Sequence, residues 1–278
     1  MRVLALLLAL TLGTAVLTGC ESTFDKAEKA REAAGTVAQV DAMSMTQLPG
    51  VSAETEAILP SSDGMTTAVV FKITAKDPGK YVLWAPIEVK LLDAAGKEVG
   101  TNNIPGAIPL LVHLPSIDGG SSAVYVNDQI LTSGKAATAK VTVGGAFVPG
   151  KGPGLLQTTP PKLVKDPNLG DSWTTTVTNT TSVRQQAIIV QAIVTKDGKV
   201  VGAGTANVDG LDPGASADVT GYFIGSSSGT LSVTAPASNA ADGSGAPGSE
   251  TAGGGAASTA PAGDTSSVST PTMTLQIN

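Results

Sequence analysis

From about residue 65 onward, apolar residues recur at every second position, and this alternation most limits what the chain can fold into. The runs 69–73 and 87–91 are examples, with valine, isoleucine, leucine or phenylalanine at alternate positions. Successive side chains of a β-strand point to opposite faces, so this period predicts half-buried strands. Turn signals built from Asp, Pro, Ser and Gly separate the runs, without a helical pattern between them. The pattern therefore predicts an all-β protein made of antiparallel sandwiches.

A five-residue motif occurs twice in the chain. Gly96-Lys97-Glu98-Val99-Gly100 resembles Gly198-Lys199-Val200-Val201-Gly202, at an offset of 102 residues. A repeat of this length predicts two similar globular domains in tandem. We place the first β-sandwich at 44–148 and the second at 171–234, and we interpret the proline- and glycine-rich segment 149–170 as an interdomain linker.

The surroundings of the first motif resemble a known family. A strand, a polar turn and a strand in the pattern Asp-x-x-Gly-Lys-x-Val-Gly are similar to the small immunoglobulin-like domains called FxLYD, which are common in bacterial envelope lipoproteins. The run 89–93 lies where the family's defining motif falls, with Val89 in place of Phe and Leu92 in place of Tyr, and the second copy departs further. The resemblance implies two tandem immunoglobulin-like sandwiches that serve as accessory or interaction modules without an active site.

The first twenty residues have the pattern of a secretion signal. Arg2 precedes an almost wholly apolar run, 3–16, which is too short to cross a hydrocarbon core of ~30 Å comfortably. The following Leu17-Thr18-Gly19-Cys20 resembles the lipobox of bacterial lipoproteins. The resemblance implies that the signal peptide 1–19 is removed and that Cys20 becomes the lipidated N-terminus. The alternatives are a plain secretory signal with a chance cysteine, or a buried free thiol.

Lipidation of Cys20 would attach the chain to a membrane on its extracytoplasmic side. Two acyl chains bury enough methylene groups for stable anchoring, whereas one chain is marginal. Residue 21 is Glu, which leaves open whether the protein is held at the cell membrane or the outer membrane. Cys20 is also the chain's one cysteine, so no intramolecular disulfide can form.

A short helix is predicted directly after the anchor. Ser22 and Asp25 have capping-box spacing, and Gly35 follows the last residue of the helical pattern. We interpret 20–43 as the lipid anchor and a spacer helix that lifts the sandwiches off the membrane. A stalk that pairs with another helix is the alternative, which the alanine-rich apolar stripe disfavours.

The C-terminal region changes composition twice. Residues 235–270 consist almost wholly of Ala, Gly, Ser, Thr and Pro, which predicts a disordered low-complexity segment. Residues 271–278 then alternate as a strand does, and we expect them to return and complete the second sheet near 231–234. The alternative is a free tail that offers a strand to the sheet edge of a partner.

Little in the chain points to catalysis. His113 is the one histidine, so a Ser-His-Asp device would have to use it. Ser227 lies in a G-x-S-x-G match at 225–229, but a nucleophile elbow needs a strand-to-helix turn, and the pattern after Gly229 is that of a strand. We therefore predict a non-enzyme, with no catalytic residues and no cofactor.

The candidates for ligand binding are also few. Met43, Met45 and His113 could bind Cu(I), because thioethers are soft ligands, but two methionines in isolation are better interpreted as core or linker residues. Trp84 and Trp173 could stack on a sugar, although a core position is favoured for both. We therefore predict no metal site.

The charge balance argues against nucleic acid as a partner. The 278 residues include 17 Lys and Arg against 23 Asp and Glu, a net charge of −6, without a basic cluster. We predict a lipid-anchored, non-catalytic binding or interaction lipoprotein of the bacterial cell envelope, tethered through Cys20 and meeting an envelope protein partner. The alternative is a carrier of a small ligand (a sugar, a lipid or a metal).

Overall fold

The described part of the chain is built of β-strands. The computed structural model describes residues 44–104, 111–166, 170–241 and 244–245, and within these ranges it contains sixteen strands and no helix. The predicted all-β fold with antiparallel sheets is confirmed. The predicted signal peptide 1–19, Cys20, the helix predicted within 20–43 and the strand predicted at 271–278 lie outside the described residues.

Strands β1 to β8 form the first sandwich. One sheet has the order β1-β2-β6, and in the other β3 pairs with β4, β5, β7 and β8. The alternate members of the runs 69–73 and 87–91 face each other between the two sheets and are fully buried, as predicted. The strands are β1 Val51–Pro60, β2 Thr66–Ala75, β3 Lys80–Leu92, β4 Glu98–Thr101, β5 Val112–Asp118, β6 Ser121–Leu131, β7 Thr138–Val143 and β8 Phe147–Pro149.

Strands β9 to β16 form the second sandwich. One sheet has the order β10-β11-β14, with β9 also paired to β11, and the other has the order β15-β13-β12-β16. Trp173, Val177 and Ile188 are among the buried residues between them. The strands are β9 Gln157–Thr158, β10 Lys162–Val164, β11 Ser172–Thr178, β12 Gln185–Lys196, β13 Lys199–Leu211, β14 Ser216–Tyr222, β15 Ile224–Gly225 and β16 Thr230–Thr234.

The two Gly-Lys-x-Val-Gly motifs fold in the same way. Each one begins the second strand of a hairpin, β3–β4 in the first sandwich and β12–β13 in the second. In the first hairpin Val99 is skipped between the pairs Leu91↔Gly100 and Leu92↔Glu98, and Val201 is skipped at the matching place in the second hairpin. Both motifs therefore contain a β-bulge at the same valine.

A third apolar core joins the two sandwiches. Val70 and Val126, on the sheet β1-β2-β6, pack with Ala203 of β13, and all three are 0 % exposed. The outer face of this sheet thus covers the outer face of the sheet β15-β13-β12-β16. The four sheets form one stack with three buried layers, in which the central two sheets are covered on both faces.

Polar groups at the edge of this third core are also paired between the sandwiches. The Asp128 carboxylate accepts hydrogen bonds from the backbone N–H and the Oγ1 of Thr205, both at 2.7 Å. Gln191 Oε1 accepts a hydrogen bond from the backbone N–H of Val126 at 3.0 Å. Burial raises the pKa of Asp128, because the charged form loses solvation there. These bonds fix the register of one sandwich on the other.

Replacing Asp128 with asparagine is expected to change how stability depends on pH. With its pKa raised by folding, Asp128 contributes stability that is fully present below its ordinary pKa of 3.8 and is lost as the pH rises through the raised value. Asp128→Asn mimics the uncharged carboxyl, so its stability relative to the parent should increase toward neutral pH. Urea unfolding of both proteins from about pH 4 to 8 measures this difference. A difference that stays constant with pH would contradict the expectation.

The segment predicted as a linker, 149–170, contributes to the second sandwich. Its strands β9 and β10 both pair with β11. Gly152 at its start donates a backbone hydrogen bond to Asp118 Oδ1 of the first sandwich, at 2.6 Å. The second sandwich thus begins before residue 171. Proline is compatible with short strands at a sheet edge, where its missing N–H breaks no ladder, so proline content alone does not indicate a linker.

The start of the predicted disordered segment, 235–270, is ordered and buried. Residues 235–240 are all buried, and Ser238 is 0 % exposed. Gln185 binds their backbone: its Oε1 accepts hydrogen bonds from Ser238 N at 2.8 Å and Asn239 N at 2.9 Å, and its Nε2 donates to Asn239 O at 3.0 Å. The prediction was wrong for these residues, because small side chains let the backbone lie close to a buried amide.

Candidate functional site

The outer face of the first sandwich carries a half-buried aromatic pair. Trp84 of β3 stacks on His113 of β5, with ring centroids 4.8 Å apart and planes 6° from parallel. Burial lowers the pKa of His113, so the neutral imidazole is the stable form at neutral pH. The predicted core position is therefore wrong for Trp84, whereas Trp173 is fully buried as predicted.

Trp84 has a left-handed backbone, which is rare for a bulky residue. Its φ is +48°, and Ala187 at the matching place in β12 also has a φ of +48°. Since alanine adopts the same conformation in the second copy, this backbone belongs to the strand and does not require an indole. The half-buried aromatic pair is thus an addition that the fold does not need.

Met45 lies on the same outer face. A methyl group on Gly144 would lie 2.7 Å from Met45 Cε, 3.6 Å from its Sδ and 3.2 Å from Pro86 Cγ. The thioether therefore occupies the space that Gly144 leaves open beside Pro86. Pro86 in turn is the cross-strand partner of His113. Met43 lies outside the described residues.

Ser227 belongs to a polar triad in the second sandwich, in the loop between β15 and β16. The ammonium group of Lys165 lies 2.5 Å from Asp171 Oδ2 and 2.6 Å from Ser227 Oγ, and Ser227 Oγ donates a hydrogen bond to Asp171. The strand β16 follows this loop, so the strand-to-helix turn of a nucleophile elbow is absent here. His113 lies on the other sandwich.

The charges of this triad do not suit nucleophilic catalysis. A Ser–Lys device needs an uncharged amine as base, whereas here the Lys165 ammonium forms an ion pair with the Asp171 carboxylate. The hydrogen bond from Lys165, together with that from Ser227, lowers the pKa of Asp171, which makes the carboxylate a weak base. We interpret the triad as a structural contact that holds Lys165 and Asp171 against the loop at Ser227.

A groove of about 370 Å³ lies where the two sandwiches meet. One wall is the β5–β6 hairpin of the first sandwich. The other is formed by residues 152–155, which join the two sandwiches, and by the end of β16. Leu155, which is 62 % exposed, lies at its margin with Asp118 and Thr234. The lining is mostly apolar with a few polar groups, the usual makeup of a small-molecule site.

The contacts that join the sandwiches were missed from the sequence. Asp128, Thr205 and Gln191 come from segments far apart in the chain, and each residue type is ordinary in a strand or turn. An acidic residue two positions after the alternating valines Val124 and Val126 was the one available signal for Asp128. Lys165 lies in the segment interpreted as a linker and Asp171 at the predicted start of the second sandwich, so their pairing with Ser227 had no signal in the pattern.

Comparisons with known proteins give no family for the chain. No family model matches it, and no curated protein matches it significantly. Within the described residues, no group of three His, Cys, Asp or Glu side chains is placed to hold a metal ion. A search of the same residues finds no helix long and apolar enough to cross a membrane.

Proposed function

We propose that the chain is a lipid-anchored, extracytoplasmic binding or interaction lipoprotein of the bacterial cell envelope, without catalytic activity. The observation that carries the proposal is the sequence Leu17-Thr18-Gly19-Cys20 after an apolar run with Arg2 before it. Acylated Cys20 holds the chain at a membrane, and the sandwiches face away from it and meet an envelope protein partner.

Two properties of the described residues support this role. The sandwiches are joined through a third apolar core and the Asp128–Thr205 bonds, which suits a module that presents a surface at a fixed geometry. In the polar triad at Ser227 the amine is held as an ion pair with a carboxylate, so neither group is suited to activate the serine. This favours binding over catalysis.

Replacing Cys20 with alanine is expected to release the protein from the membrane. The thiol is the group that receives the diacylglyceryl moiety, and without acyl chains the chain's negative net charge gives no attraction to anionic lipids. Fractionation of cells and labelling with a palmitate analogue measure the effect: the parent should label and sediment with membranes, and Cys20→Ala should do neither. Thr46→Ala, an exposed position in the described part of the chain, serves as the control. Equal membrane association of Cys20→Ala and the parent would overturn the proposal.

A small-ligand carrier is the second candidate, and the groove between the sandwiches favours it. Its volume of about 370 Å³ suits a compact ligand. A carrier gains stability on saturation, by about 2.7 kcal/mol at a ligand concentration one hundred times Kd. A thermal-shift screen of sugars, lipids and metals separates the two functions, because a partner-binding module should show no such shift.

A further inference from the structure

The outer face of one sheet of the second sandwich carries a polar groove. The sheet has the order β10-β11-β14, with β9 also paired to β11, and the groove has a volume of about 310 Å³. Its floor is formed by residues 174–176 of β11, and its sides come from the segment 159–162 and from residues 218–220 of β14. The lining is made mostly of threonines, with one lysine and one aspartate.

Three side chains in one row across the groove carry hydrogen-bonding groups. Lys162 pairs with Thr174 and Thr174 pairs with Thr220, so neighbours in the row are about 5 Å apart. Among the described residues, these three side chains have no hydrogen-bond or ion-pair partner. In the next row Thr176 Oγ1 donates to Asp218 Oδ1 at 2.7 Å, which orients the carboxylate. The groove therefore presents both donors and acceptors to a ligand.

An exposed aromatic ring lies beside the groove. Tyr222 is 56 % exposed and shares the outer face of β14 with Asp218 and Thr220, since alternate residues of a strand point to the same side. Asp218 and Tyr222 are four residues apart, which is ~13 Å along a strand. The face thus combines a ring available for stacking with hydroxyl, ammonium and carboxylate groups, over a length that suits a short oligosaccharide.

The matching face of the first sandwich shows how this fold covers such a sheet with protein. The sheets β1-β2-β6 and β10-β11-β14 each lie opposite the sheet that contains the Gly-Lys-x-Val-Gly hairpin. In the first copy the outer face carries Ala68, Val70 and Val126, all 0 % exposed in the third core. In the second copy the outer positions of β11, which alternate from 172 to 178, are all serine or threonine. The centre of a protein interface is usually apolar, so a polar ligand suits this second face better.

We propose that this face binds a neutral oligosaccharide, with one pyranose ring stacked on Tyr222 and the sugar hydroxyl groups bonded in the groove. A hydroxyl group both donates and accepts, so it can pair with the ammonium, carboxylate and threonine groups there. The C–H face of a pyranose ring is apolar and packs on an aromatic ring. One lysine and one aspartate leave the groove without net charge, which favours neither a polyanion nor a cation. The site is independent of the proposed anchoring and stands whether or not Cys20 is acylated.

The experiment uses the full chain with Cys20→Ser in every variant, so that acylation does not affect the measurement. Isothermal titration calorimetry measures the binding of three neutral oligosaccharides: cellohexaose, N-acetylated chitohexaose and mannohexaose. They differ in linkage and in ring substituents but share the hydroxyl groups and the stackable ring. We expect at least one of them to bind to the parent at a single site.

Variants place the oligosaccharide on this face. Tyr222→Ala should weaken binding by about tenfold, whereas Tyr222→Phe should bind nearly as the parent does because the ring is retained. Thr220→Val removes one hydroxyl group and should weaken binding by about three- to tenfold. Thr230→Val, which changes an exposed threonine at the start of β16 outside the groove, is the matched control and should leave the affinity unchanged.

Two results would overturn the proposal. One is the absence of binding of all three oligosaccharides to the parent chain. The other is equal affinity in the parent, Tyr222→Ala and Thr220→Val, which would show that the sugar binds elsewhere, for example in the groove between the sandwiches. Circular dichroism melting of each variant separates loss of binding from loss of folding. Tyr222 and Thr220 are both exposed, so their variants should melt as the parent does.

Discussion

Trp173→Ala is expected to destabilise the second sandwich by about 3–5 kcal/mol, the usual cost of removing a large aromatic side chain from a core. The indole is 0 % exposed and lies between the two sheets. It covers Gly221, its cross-strand partner, so closely that a methyl group there would lie 2.4 Å from its Cζ2. Among the described residues the indole N–H has no hydrogen-bond partner, so we expect the loss to come from packing. Since domains are stable by only about 5–15 kcal/mol, this one change removes a large share.

Urea unfolding followed by circular dichroism measures the effect of Trp173→Ala. Tyr222→Ala is the matched control, because Tyr222 is also an aromatic residue of this sheet but is 56 % exposed. The control should change stability by no more than about 0.5 kcal/mol. Equal effects of the two substitutions would show that Trp173 does not hold the second core together.

Ala203→Glu is expected to separate the two sandwiches. Ala203 is 0 % exposed and contacts Val70 and Val126 in the third core. The described contacts of Ala203 in this core are apolar, and an uncompensated buried charge costs about 3–5 kcal/mol. Opening the interface removes that cost while leaving the cores of both sandwiches intact. The variant should therefore have a larger radius of gyration and melt in two transitions.

Small-angle X-ray scattering and calorimetry test this separation. Asn207→Glu places the same charge on an exposed position of the same strand, β13, and should leave the radius of gyration and the single transition unchanged. An Ala203→Glu protein that keeps the parent's dimensions and melting temperature would contradict the role assigned to the third core.

The period-two pattern predicted the strands well but not the packing of their outer faces. The run 69–73 correctly placed its alternate residues in the first core, yet Val70 between them is equally buried. Alternation assigns one face of a strand to the core and the other to solvent. Val70 and Val126 are small apolar residues that are common on exposed faces too, and only their arrangement opposite Ala203 shows that a second sheet covers them. The unbroken apolar runs 68–71 and 124–126 are compatible with strands buried on both faces, but they do not show which sheet covers them.

The sequence pattern also could not predict which side chains contact each other at the candidate sites. His113 and Met45 were recognised as possible ligands for a soft metal, but nothing in the sequence placed Trp84 against His113 or Met45 over Gly144. Those contacts depend on the register between β3 and β5 and on Gly144, which follows β7 and lies outside either motif. Conversely, 235–240 has a composition typical of disorder, and its burial depends on Gln185, more than fifty residues earlier in the chain.

The chain segment that joins the two sandwiches, 152–156, is hydrogen-bonded to both of them. Gly152 is bonded to Asp118 on one side, Leu156 donates to Ala235 O at 2.8 Å on the other, and Ala237 donates to Gly154 O at 2.9 Å. Two sandwiches that are joined in this way turn together when one of them is rotated. A rotation of the first sandwich would therefore turn the second sandwich, with its loops, in the same direction.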